Sequence, residues 1–98
     1  MMARLKRVRS SGNVFRDLGF DRTEAENLKL RSELMMRIES FYRESGMTQI
    51  VAASRLGLTQ PRLNALLRGR ITQFSLDALV NIATRAGLNV RLVVKRAA

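Results

Sequence analysis

The sequence predicts a mainly α domain of five helices with one C-terminal β-strand. Three observations carry this. Apolar residues recur at three- and four-residue spacing through Leu28, Leu34, Met35, Ile38, Phe41 and Tyr42, with a second apolar run at Leu76, Leu79, Val80, Ile82 and Ala83. Capping residues stand ahead of the helical stretches, and Gly46, Gly57, Gly69 and Gly87 stand behind them. After Gly87 the period changes: in LNVRLVVK, residues 88–95, Val90, Leu92 and Val94 alternate with Asn89, Arg91 and Lys95, and Val93 breaks the polar row.

The chain opens with a basic stretch, residues 1–12, carrying Arg4, Lys6, Arg7 and Arg9 and ending in Ser-Ser-Gly. This reads as a solvated tail or as an arm that lies along phosphates or in a minor groove; a loose arm can order on binding, so the two are compatible. The remainder, residues 13–98, is one domain with a small core. Residues 13–20, NVFRDLGF, hold Val14, Phe15, Leu18 and Phe20 and predict one helical turn ending at Gly19. That patch either covers the core or meets a partner chain. Thr23 and Glu26 form a T-x-x-E capping box for a long helix that runs to about Ser45. Glu33 with Arg37, and Glu39 with Arg43, are i,i+4 pairs on its solvated side. Met35 and Met36 read as core filler.

Residues 48–69, TQIVAASRLGLTQPRLNALLRG, predict two short helices joined by a tight turn. Thr48 caps the first, over about 49–56. Gly57 turns the chain at low steric cost. Thr59 caps the second, Pro61 sits in its first turn where no N–H is needed, and Gly69 stops it. Ala53 is small enough to let the two backbones approach. Ala52, Leu56, Leu58, Leu63 and Leu66 form the inner set, leaving Gln60, Arg62, Asn64, Ala65 and Arg68 outward. Gln, Arg and Asn are the side chains whose donors and acceptors match base edges in a major groove. An ordinary helical hairpin with a solvated polar face is the plainer reading. Residues 70–74 form a loop into the last helix, which Ser75 caps, with Asp77 in its first turn to complement the dipole. The final strand needs a partner for its backbone groups. A second copy would supply one through Val90, Leu92 and Val94 in a twofold dimer, and the N-terminal segment of the same chain is the alternative.

Composition narrows the function. The net charge is +10, from 18 Lys and Arg against 8 Asp and Glu. Residues 46–98 hold eight basic residues and one acid, Asp77. A polyanionic partner follows, nucleic acid ahead of an acidic membrane surface. Without Cys or His there is no thiol chemistry and none of the usual zinc sites; the acids are dispersed, so no catalytic residue, metal site or cofactor is expected. No apolar run approaches a membrane span and no secretory signal is present, so the expected location is the cytoplasm.

The central stretch resembles the helix-turn-helix of Cro/repressor-like (XRE-type) regulators, a lambda-repressor-like fold. Gln49, Ala53, Gly57, Leu63 and Gly69 stand at that family's helix start, packing alanine, turn glycine, inner hydrophobe and closing glycine. NVFRDLGF ahead of the long helix, LTQPRLNALLRGR, and FSLDALVNIATRAGLNVRLVV look like its antitoxin group, similar to HigA-type antitoxins. The likeness spans roughly residues 13–95. It implies base reading by Gln60 and Arg62, and Asn64, outward on the same helix, is expected to join them. Pro61 takes a place often held by a polar reader, which shifts the burden to Arg62. It further implies phosphate contacts from Gln49, Thr59, Arg68, Arg70 and Thr72. The expected partner is double-stranded DNA, bound by a homodimer acting as a repressor. The alternative is an antitoxin that neutralises a toxin partner and represses its own operon.

Overall fold

The computed structural model describes residues 13–96, so the basic arm expected over residues 1–12 lies outside the described residues. Five α-helices follow in order: α1 (Val14–Asp17), α2 (Arg22–Ser45), α3 (Gln49–Leu56), α4 (Gln60–Leu67) and α5 (Leu76–Arg85), with a single 3-10 turn at Ile71–Gln73 between the last two. α1 is held at its start by Asn13, whose Oδ1 accepts from the Phe15 amide at 3.0 Å and the Arg16 amide at 3.4 Å. Asn13 Nδ2 donates to Glu26 Oε2 at 3.0 Å, which ties this turn to α2.

α2 is the spine. It starts two residues before the expected capping box: Asp21, not Thr23, is the cap, and its carboxylate accepts from the Glu24 amide at 2.8 Å. Asp21 also has a Glu three residues on, and an apolar residue, Phe20, stands just ahead of it. Starting there seats Ala25 and Leu28 inside, at 0% and 5% exposed. The helix stops at Gly46, as its spacing predicts. α5 packs along it, α1 and α4 pack against it, and α3 bridges α4 and α5.

The core collects Met35 and Ile38 from α2, Ala52, Ala53 and Leu56 from α3, Leu63, Ala65 and Leu66 from α4, and Leu79, Ile82 and Ala83 from α5. Phe74, between α4 and α5, is among the largest fully buried side chains. Leu58 is partly buried against this cluster. Two side-chain expectations are corrected. Ala65 faces inward, because the short α4 is covered over a wider arc than one stripe. Met36 is 56% exposed, because the α2 stripe turns past it to Ile38. Among the described residues, the Glu39–Arg43 pair closes at 2.7 Å and the Glu33–Arg37 pair does not.

The C-terminal strand is also corrected. Residues 88–96 have no regular secondary structure, and no strand exists among the described residues to pair with them. A strand is completed only by a neighbour that satisfies its amides and carbonyls. Leu92, Val93 and Val94 accordingly stand 86%, 73% and 82% exposed.

Candidate nucleic-acid interface

The turn between α3 and α4 is closed twice: the Gly57 amide donates to Ser54 O at 3.2 Å and the Leu58 amide to Ala53 O at 2.8 Å. Gly57 takes φ +72°, and a Cβ there would lie 2.6 Å from Arg85 Nε. α5 therefore packs its Arg85 side chain over the turn. Thr59 opens α4, its Oγ1 accepting from the Arg62 amide at 3.2 Å, with Pro61 in the first turn. Leu63 and Leu66, 0% and 2% exposed, fix the rotation of α4.

That rotation leaves Gln60, Asn64 and Arg68 exposed at four-residue spacing, one stripe along the helix. Arg62 is placed differently. It is half-buried; its guanidinium lies over the Phe74 ring at 4.1 Å from the centroid, and Nη1 donates to Gln73 O at 2.6 Å. Gln49 and Thr59 are exposed at the starts of α3 and α4. Arg70 and Thr72 are exposed on the segment that leaves α4. Val90, Leu92 and Val94, expected at a dimer interface, lie exposed on the C-terminal tail, away from regular structure.

The segment after α4 is more tightly held than a loop reading predicts. The Arg70 amide donates to Ala65 O, closing α4, and the Gln73 and Phe74 amides donate to Arg70 O and Ile71 O. Phe74 is anchored in the core. From α2, Arg31 Nη1 donates to Ile71 O at 3.4 Å and to Phe74 O at 3.1 Å, while its Nε donates to Asn27 Oδ1 at 2.7 Å. Neither Arg31 nor Phe74 was expected at the site. Both left a signal. Arg31 interrupts the buried series Leu28, Met35, Ile38 at helical spacing, and Phe74 stands just before a cap, Ser75, where an apolar residue often staples a helix start.

Residues 49–73 contain Arg55, Arg62, Arg68 and Arg70 and no acid, so this segment contributes positive charge only. Among the described residues no group of His, Cys, Asp or Glu could hold a metal ion, and no helix is long and apolar enough to cross a membrane. Behind the end of α4 a groove of about 350 Å³ is lined in part by Phe15, Met36 and Leu67. An outward stripe of amide and guanidinium groups on a short helix, flanked by helix starts and arginines, can hydrogen-bond base edges and phosphates together.

A family model described as a helix-turn-helix domain matches residues 14–95. A solved chain assigned to the XRE family of transcriptional regulators superposes with a TM-score of 0.71 at 24% identity, over 76% of this chain and 83% of that chain. At that identity the likeness is one of fold. No curated protein matches the sequence.

Proposed function

The chain belongs to the helix-turn-helix family of DNA-binding domains, and we propose that it is a sequence-specific transcriptional repressor that acts as a dimer. The observation that carries this is the exposed stripe Gln60–Asn64–Arg68 on a helix whose rotation is fixed by buried Leu63 and Leu66. Gln60 and Asn64 read bases directly, and Arg62 joins them by leaving Gln73 and Phe74. Gln49, Arg68, Arg70 and Thr72 fix the register on phosphates. Thr59 assists them: its oxygen accepts from a backbone amide, which leaves the hydroxyl proton to donate to a phosphate. Val90, Leu92 and Val94 pair with a second copy's tail, and two recognition helices then meet half-sites about one DNA turn apart.

Binding-site selection from random duplexes at two salt concentrations tests this. The expected result is an enriched twofold-symmetric site. Affinity should fall steeply with salt, by a log–log slope of about 0.9 per phosphate contacted. Failure to enrich any sequence overturns the reading. Asn64→Ala should cost roughly 1–3 kcal/mol of discrimination at one base pair of that site.

A second reading, an antitoxin, is favoured by one observation. Val14 and Leu18 are 60% and 69% exposed beside the half-exposed Phe20, an apolar face suited to a protein partner. Co-purification with the product of an adjacent small reading frame tests it. If no such complex forms, the plain repressor remains.

A further inference from the structure

We infer that Arg31 is a positioning residue of the DNA interface, holding residues 71–74 in register with the phosphate backbone while Arg62 is released to the bases. This rests on the DNA-binding reading above. The starting point is a conflict at Arg62. Its guanidinium is engaged by Gln73 O at 2.6 Å and by the face of Phe74. A guanidinium spread over that ring cannot at the same time lie in a groove and present two donors to a base. When Arg62 goes to DNA, the segment that carries Thr72 and adjoins Arg70 loses one of its anchors.

Arg31 supplies the other anchor, and it does so from the opposite element. One nitrogen, Nη1, donates to Ile71 O and Phe74 O, at the first residue of the 3-10 turn 71–73 and just past its end. Nε is committed to Asn27 Oδ1, one helical turn back on α2, and this fixes the direction of the fork. All three acceptors are neutral oxygens, so the charge is used as a strong donor rather than in an ion pair. The contacts span 40 and 43 residues of chain and couple the spine helix to the phosphate-facing segment.

The test uses the full chain and the operator obtained by selection. Arg31→Met, Arg31→Lys and Arg37→Met are compared with wild type. Arg37 is an exposed α2 residue outside the interface, and its loss removes one charge equally. In Arg31→Met, operator binding is expected to weaken about tenfold, since ordering even one backbone residue on binding costs roughly that factor. The salt slope should fall by about 1, the loss of one fixed phosphate contact. In the free protein, amide exchange at Gln73 and Phe74 should accelerate. Arg31→Lys keeps a charged donor for the two carbonyls but loses the Nε bond to Asn27, so it should recover affinity only in part, remaining about threefold below wild type, and Arg37→Met should stay within about twofold. Wild-type affinity and slope in Arg31→Met, an equal loss in Arg37→Met, or no rescue by Lys each overturns the assignment. Should Arg31→Met fail to fold, Arg31→Gln takes its place with the same outcomes. If wild type itself selects no DNA, the binding reading fails, while the exchange rates still decide the anchoring role.

Discussion

Arg62 stands between two surfaces, the proposed base-reading face of α4 and the Phe74 ring on which its guanidinium lies. Its backbone lies on α4, the helix proposed to face DNA, yet its charge rests on Phe74 and Gln73. Arg62→Ala should therefore have two separable effects. Stability should fall by about 0.5–1 kcal/mol, the worth of a part-exposed cation–ring contact, measured by urea unfolding. Operator binding should weaken more than binding to random duplex, measured by fluorescence anisotropy on both. Equal losses on the two duplexes would remove Arg62 from base readout. The chemistry of this position was legible: an Arg beside Gln and Asn on an outward helical arc suits base edges. Its resting contact was not, because the ring lies twelve residues on and is brought close only by the path after α4. Arg31 was the reverse case. Its place within the stripe Leu28, Met35, Ile38 marked it as inward, but only the fold supplies the carbonyls that a half-buried guanidinium needs.

Among the elements, the helix starts share a grammar. Asp21, Thr48, Thr59 and Ser75 each accept from an amide three residues on. Each is preceded by an apolar residue, Phe20, Met47, Leu58 or Phe74, and the residue five positions after that one, Ala25, Ala52, Leu63 or Leu79, is buried. Such signals lie within six residues, which is why α3 and α4 could be bounded from the sequence. α2 was misplaced by two residues because Asp21 and Thr23 are both competent caps with an acid at the third position. Thr59→Ala should cost about 1 kcal/mol of stability, since the Arg62 amide loses its acceptor. Gly57→Ala should cost about 1–2 kcal/mol for its left-handed backbone alone, before Arg85 is displaced. Thermal or urea unfolding measures both, and a neutral Gly57→Ala would mean that the turn relaxes to another geometry.

At the scale of the molecule, the charge is divided. Seven of eight acids precede residue 45, while α3, α4 and the segment after them carry arginine alone. That division was plain in the sequence and orients the chain towards a polyanion. The pairing of the tail was only half legible. Alternation along residues 88–95 predicts a strand, but a strand is a property of two segments, and among the described residues no second segment is there and no strand forms. Deleting residues 89–98 should leave the unfolding midpoint of the monomer nearly unchanged, because those described, residues 89–96, are exposed. Operator affinity should drop by a factor on the order of 10²–10⁴ as the half-sites are bound independently. Sedimentation of the deleted and full chains checks the cause. A full chain that remains monomeric at high concentration would exclude the tail as the dimer contact.

The same tail presents Arg91, Lys95 and Arg96 exposed on backbone without regular secondary structure, the kind of segment a protease can take up. Trypsin should clip after Arg91 readily in dilute solution. A second tail laid alongside would withdraw that bond from the enzyme. The cleavage rate should then fall as protein concentration rises, and the concentration giving half-protection would measure the strength of self-association.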